Sequence, residues 1–423
     1  MRLRLPGPRW PAAVFAVAAA GAFAQAGTVR VAFIDPLSGP FANVGQNQLK
    51  SWQFVADQMS QGGKSGPKFE FVPFDNKGSP QESLNALKAA IDQGIRYVVQ
   101  GNGSGAAAAI ADGIEKHNAR NPGRELLYLN YAAVDPALTN ERCSYWHFRL
   151  DADTSMKMEA LTSYLKDRPQ LKKVHLINQN YAHGVQVARH FREALARKRA
   201  DVQIVGDDLH PIGQVKDFAP YVAKIKASGA DAVVTGNWGQ DLTLLIRAAH
   251  DAGLGADFYT YYASTSGVPT AMAAGVGGTV RMVAYSHNAL PGVVTLQDAF
   301  KQKYGEDWYT HATYNGIAML SEGFRRAAST DPAKVAPVLE GLRFAGFQGE
   351  VGDARQRPPA AAGALHLRVA QGRRAQPVLG REHRLQLPGA QGTGRAGREH
   401  ADDLPDEAAL SARRAAPVIV TPS

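Results

Sequence analysis

The chain has 423 residues, long enough for two ordinary α/β domains. Hydrophobic residues make up 45% and charged residues 20%, a globular balance that excludes wholesale disorder. The net charge is +9, but the excess is not gathered into basic runs with interleaved aromatics, so nucleic acid is not an expected partner.

The first residues read as an export signal. Arg2, Arg4 and Arg9 form a positive region, residues 12–23 are apolar but too short for a stable membrane span, and Ala24-Gln25-Ala26 offers small residues for cleavage. The alternative is a buried first helix. With 1–26 as a signal peptide the mature protein is expected in the periplasm. No cysteine stands near the cleavage site, which excludes a lipid anchor there. Cys143 is the one cysteine of the chain.

From residue 28 onward, short β-branched runs alternate with amphipathic helices. Strands are expected at 29–34, 69–74, 96–100 and 126–130, and helices at 46–59, 79–94 and 105–117. Leu49, Trp52, Val55 and Met59 form one stripe of the first helix. Ser79-Pro80 starts the second with an N-cap and a first-turn proline. After Asp151 the rhythm restarts: strands at 173–177, 202–205, 232–235, 258–262 and 280–285, with helices at 154–165, 184–199, 218–228 and 242–252. Further helices follow at 296–304, 314–328 and 332–342. This alternation predicts an α/β fold of two doubly wound, Rossmann-like lobes joined by a hinge. The first lobe is assigned 27–149 with about 287–345, and the second 150–286.

Ligands of open parallel sheets bind beyond the carboxyl ends of the strands, and two lobes with those ends facing make a cleft that closes by hinge motion. Gly101-Asn102-Gly103-Ser104-Gly105-Ala106 follows a strand and opens a helix. Its glycines permit close backbone approach, its free N–H groups and helix dipole favour a carboxylate, and Ser104 adds a hydroxyl. Two other readings stay open: Ser104 as a plain N-cap, or a loose dinucleotide fingerprint. Against the latter, Asn130 stands where an acidic residue would end the next strand.

Tyr131-Ala132-Ala133 forms a strand-end turn beside that loop, where small residues would expose backbone donors. Tyr181 and Trp238 occupy strand ends of the second lobe, placed to close aromatic rings over a ligand or to serve as surface or hinge residues. Tyr262 and Ser264 follow the next strand. Asp151 and Asp153 are candidates to meet a ligand ammonium, or are solvated linker residues. The 12 histidines are scattered, no metal site is suggested, and no G-x-S-x-G elbow is present. No catalysis and no cofactor are expected.

Three stretches carry a resemblance: Ile34-Asp35-Pro36-Leu37-Ser38-Gly39-Pro40-Phe41, Glu141-Arg142-Cys143-Ser144-Tyr145-Trp146-His147-Phe148-Arg149, and Lys216-Asp217-Phe218-Ala219-Pro220-Tyr221. Their order and spacing over about 28–352 resemble the periplasmic binding proteins for branched-chain amino acids, the leucine-isoleucine-valine type. The resemblance implies a type I periplasmic binding fold, a non-enzymatic receptor for a small amino-acid-like ligand, and a membrane permease and ATPase complex as partners. It places carboxylate binding at Ser104, Ala132 and Ala133, and cleft closure at Tyr181; Gly105 is a further ligand-binding candidate from the glycine loop. The family's acidic partner for the ligand ammonium has no obvious counterpart; Tyr262-Ala263-Ser264 stands in that region. Two alternatives are a ligand sensor of the same fold and an NAD-dependent enzyme using the glycine loop.

The tail, 353–423, changes character. After Glu350 the chain has no Phe, Tyr, Trp, Lys, Met or Asn, so it is expected to be disordered or to lack a packed core. One choice of codons for this tail, read one base later, gives stretches containing Tyr, Phe and Cys that resemble the family's usual C-terminus. The tail is therefore read as the product of a shifted reading frame, which leaves Cys143 without a disulfide partner.

Overall fold

In the opening strand Val31 and Phe33 point to one face and Ala32 and Ile34 to the other, and all four are fully buried. Such a strand must be central and covered on both sides. The computed structural model shows this arrangement; it describes residues 27–63, 66–273, 280–284, 291–346, 349–353, 364–369 and 418–420.

The chain runs β1 (Val29–Asp35), α1 (Ala42–Ser60), β2 (Phe69–Asp75), α2 (Pro80–Asp92), β3 (Tyr97–Gln100), α3 (Ser104–Arg120), β4 (Leu127–Asn130) and β5 (His147–Arg149). It crosses to α4 (Thr154–Lys166), β6 (Lys173–Gln179), α5 (Ala182–Lys198), β7 (Gln203–His210), α6 (Ala219–Ala227), β8 (Ala232–Val234), α7 (Gly239–Asp251), β9 (Asp257–Thr260), α8 (Val268–Ala273) and β10 (Val280–Ala284). It returns as α9 (Pro291–Tyr304), α10 (Ala312–Ala327), α11 (Pro332–Leu339), β11 (Arg343–Gly346) and β12 (Gly349–Asp353), and ends with β13 (Ala364–Val369) and β14 (Val418–Val420).

Strands β2-β1-β3-β4-β5 lie side by side and parallel in one sheet, and β7-β6-β8-β9-β10 in the other. Both lobes thus share one winding, as the alternation predicts. In the first lobe Val31, Phe33, Val99 and Leu129 pack with Trp52 of α1 and with Ile317 and Leu320 of α10. On the other face Ala32, Ile34 and Val98 meet Leu87 of α2 and Ile110 of α3. The second lobe repeats the plan: Val233 and Phe258 pack on Leu242 and Leu245 of α7, while Leu176 and Val234 pack on Leu161 of α4 and Phe191 of α5. Helices α9 to α11 return to the first lobe, where Phe300, Trp308, Val335 and Leu339 join its core. No described helix is long and apolar enough to cross a membrane.

The crossing from β5 to α4 is pinned by polar contacts. Arg149 pairs with Asp153 at 2.9 Å, both nearly inaccessible, and donates to the Asp135 carbonyl at 3.0 Å. Asp153 also caps α4 by accepting from the Met156 N–H, and Thr154 donates N–H and hydroxyl to the Val134 carbonyl. Asp153 is therefore a buried hinge residue, not a solvated linker.

Some elements depart from expectation. Strand β5 is only three residues long and was not anticipated, β7 runs to His210, and β11 to β13 pair antiparallel at the edge of the first sheet. The signal-peptide assignment lies outside the described residues. So does the tail, except two segments that add strands: β13 beside β5 and β12, and β14 antiparallel to β10.

Candidate functional site

Strand β1 ends in Asp35, and this carboxylate organises the neighbouring strand end. It is fully buried and accepts from the Gly101 N–H at 3.0 Å, the Asn102 N–H at 2.8 Å and the Tyr131 hydroxyl at 2.5 Å. Burial pushes its pKa up from 3.8 to about 7, against those three hydrogen bonds, which pull the other way. Gln48 of α1 accepts from the Asn102 side-chain amide at 2.5 Å and lies 3.0 Å from the Tyr131 hydroxyl. The Tyr131 ring occupies the space over Gly101, where an added Cβ would sit 2.6 Å from it.

With Gly101 and Asn102 turned onto Asp35, the chain reverses through Gly103 at φ +87° and enters α3. That left-handed angle favours glycine. Gly103 is the N-cap and brings no side-chain cap, so Ser104 is the first helical residue and not the capping one. The first-turn N–H groups of α3 have no intrahelical partner by construction, and the positive end of the helix dipole lies with them. The Ser104 Oγ accepts from the Asp135 N–H at 3.3 Å, which leaves its own proton for another acceptor.

The turn after β4 behaves differently from expectation. The N–H groups of Ala132 and Ala133 both donate to the Asn130 Oδ1, at 3.3 and 2.8 Å, and the Asn130 amide donates to the Ala133 carbonyl. These backbone donors are engaged, so Ala132 and Ala133 offer a small wall and not free N–H groups. Asn130, which stands where a dinucleotide fold would carry an acidic residue, is taken up by its own turn.

The second lobe supplies aromatics from three strand ends. Tyr181 precedes α5 and Trp238 precedes α7, each in the extended N-cap position that follows a strand. The Trp238 Nε1 donates to the Tyr181 hydroxyl at 2.9 Å, and burial raises the Tyr181 phenol above its ordinary range. Tyr262 follows β9 and packs edge-on to His183 at 5.9 Å. His183 is buried, with Nδ1 2.9 Å from the Thr154 hydroxyl. Burial first, and the charge of Lys157 second, push its pKa down to about 3, so it is neutral at physiological pH. Lys157 pairs with Asp151 at 2.7 Å and lies 5.5 Å from the Tyr262 ring centre.

These groups meet around a cavity of about 40 Å³ between the lobes, room for on the order of three water molecules. Of the residues singled out from sequence, Ser104, Ala132, Ala133, Tyr181, Trp238 and Tyr262 line it. Three do not. Gly105 is exposed and faces Pro80, because a helix turns it away from its neighbour Ser104. Asp151 is claimed by Lys157. Ser264 is half-buried beside the lining residue Thr265. Sequence reasoning missed Val44 and Gln48, which lie one turn apart on α1, as well as Thr265; Val134 also lines the cavity and belongs to the strand-end turn read from sequence. The i, i+4 pair on the first helix after β1 was the available signal. None of the described lining residues carries a formal charge.

A family described as periplasmic binding protein matches residues 28–373. A Leu/Ile/Val-binding protein homolog 4 of Brucella abortus is 36% identical over 258 residues, 60% of this chain and 61% of that protein, so the chain spans about three-fifths of this relative's length. The leucine-, isoleucine-, valine-, threonine- and alanine-binding protein of Pseudomonas aeruginosa is 24% identical over 347 residues, 80% of this chain and 90% of that protein. Among solved structures, the like-named protein of Brucella ovis in its closed conformation aligns with a TM-score of 0.66 at 28% identity, covering 77% of this chain and 85% of that one. An R. palustris solute-binding protein in complex with benzoate aligns at 0.68 with 20% identity, covering 80% and 91%, a likeness of fold alone. The chain therefore belongs to the periplasmic binding protein family.

Proposed function

We propose that this protein is a periplasmic solute-binding receptor of an ABC importer, one that captures a small carboxylate or amide between its lobes and hands it to a membrane permease and ATPase complex. The observation that carries the reading is the cavity itself: helix α3 presents free N–H groups and the Ser104 hydroxyl from one lobe, and Tyr181, Trp238 and Tyr262 face them from the other. That pairing suits a carboxylate held at a helix N-terminus with an apolar or aromatic body against the rings. The uncharged lining favours ligands with no second charge, since an unpaired buried ammonium is costly. Relatives named for leucine, isoleucine and valine, and fold neighbours in complex with benzoate and 3,4-dihydroxybenzoic acid, mark the range within which the ligand is sought.

Calorimetry with leucine, benzoate and a small aliphatic amide tests the reading. One of them is expected to bind with one-to-one stoichiometry, and Ser104→Ala and Tyr181→Ala are each expected to weaken it about tenfold or more, as loss of a hydrogen bond to a charged group does. Failure of all three to bind, or unchanged affinity in both variants, overturns it.

A further inference from the structure

We infer that Phe41 is a positioning residue of the cleft, a knob on the first lobe that seats in a glycine-lined notch of the second and holds Trp238 in place over the cavity. The inference rests on reading that cavity as the ligand site, but its first test needs no ligand.

Phe41 ends the short 3-10 turn that follows β1, and its side chain is 7% exposed. Its burial comes from both lobes: Val44 and Gly78 of its own, and Trp238 of the other. The ring stacks on Trp238 with centroids 4.1 Å apart and planes 29° apart. Around it the second lobe presents Gly213, in the loop after β7, and Gly239, the first residue of α7. An added Cβ would stand 3.0 Å from the Phe41 ring at Gly213 and 2.9 Å from it at Gly239. Both glycines also sit at positive φ, +67° and +59°, where a side chain is strained whatever the space. Two independent reasons thus keep this notch free of side chains.

The notch is held together by contacts within the second lobe. Asp241, fully buried in the first turn of α7, accepts from the Gly213 N–H at 2.8 Å and from the Gln179 amide at 2.7 Å, tying the loop after β7 to the start of α7. Val44, one turn beyond Phe41, completes the cluster with Ile212 and Tyr262. Phe41 does not line the cavity. It acts on Trp238, whose Nε1 donates to the Tyr181 hydroxyl, so one apolar ring of the first lobe fixes two aromatic groups of the second. When the lobes part, Phe41 and one face of Trp238 return to water. Their burial therefore counts toward the closed arrangement and is absent from the open one.

The test uses the full chain without ligand, comparing Phe41→Ala, Phe41→Leu and Gly239→Ala with the parent. Small-angle scattering reports lobe separation. The emission of Trp238 is isolated by subtracting a Trp238→Phe counterpart of each protein. Phe41→Ala is expected to increase the radius of gyration and shift Trp238 emission to the red, with the open-to-closed ratio rising about tenfold. Phe41→Leu is expected to restore most of both signals. Gly239→Ala is expected to mimic Phe41→Ala, and the double variant to separate the lobes no further than either alone. A purely structural role would lower the melting temperature and leave Trp238 emission as it was. Unchanged scattering and emission in Phe41→Ala, or additive separation in the double variant, overturns the inference. With whichever of leucine, benzoate or the amide binds, Phe41→Ala should also speed dissociation about tenfold. If none binds, the proposed function fails while the ligand-free measurements still decide the role of Phe41.

Discussion

Replacing Asp35 by Asn should change how stability depends on pH. Asp35 is raised from 3.8 to about 7 by burial, with Tyr131, Asn102 and Gly101 opposing. A carboxyl whose folded pKa lies above its unfolded value contributes stability that is complete below pH 3.8 and is lost as pH rises through about 7. Three pKa units correspond to about 4 kcal/mol. The Asn variant has no such titration, but its single carbonyl leaves one of three donors unmatched, at about 1–3 kcal/mol. The parent should therefore be the more stable protein near pH 4.5, and the gap should close or reverse by pH 8. Urea unfolding of both proteins at half-unit steps measures this as the difference between two profiles. His183 titrates in the same window in the opposite sense, since its depressed pKa loses stability as pH falls from 6.5, but it is common to both proteins and cancels. The cross-strand neighbour Asp75 is held below its usual range by hydrogen bonds from Ser38, Leu37 and Lys77 despite partial burial, so it acts only at lower pH. Tyr128 and Tyr131 stay protonated throughout. Parallel profiles for parent and variant would refute the reasoning.

Lys157→Met should destabilise the protein by about 3–5 kcal/mol, because Asp151, 8% exposed, is left as an unpaired buried carboxylate; adding Asp151→Leu should recover most of the loss in denaturant titrations. Gly101→Ala places a methyl 2.6 Å from the Tyr131 ring, which its hydroxyl fixes on Asp35, and should cost about 1–3 kcal/mol while weakening whichever ligand binds. Nucleotide sequencing across codon 352 should show a one-base frame change relative to kindred genes, and a chain with the frame restored should unfold at a higher temperature; an intact frame would refute that account of the tail.

The winding of both lobes was legible because buried parallel strands read as continuous apolar runs and the helices between them carry clear stripes. Trp52 and Val55, expected on one stripe, are fully buried. Strand ends were equally legible, and with them Ser104, Tyr181, Trp238 and Tyr262, since α/β sheets expose their ligands' contacts there. What sequence concealed was competition for each polar group. Asp151 looked available, yet Lys157 six residues on had already engaged it. The donors of Ala132 and Ala133 looked free, yet the Asn130 side chain just before them takes both. Asp35 looked like an ordinary strand end, and only its distance to three donors reveals its role. Strand β5 was invisible because His147-Phe148-Arg149 carries a single apolar side chain, whereas the equally short β8 is wholly apolar.

The Asn130 turn separates shape from scaffold. Its backbone is fixed by a side chain that faces inward, so the path of the chain does not depend on what Ala132 carries. Ala132 itself is half-buried and forms part of the cavity wall. A lineage can therefore enlarge, shrink or roughen this wall by single substitutions at position 132 while the turn keeps its course. Paralogues built on this fold can diverge in what they accept without first relearning how to fold.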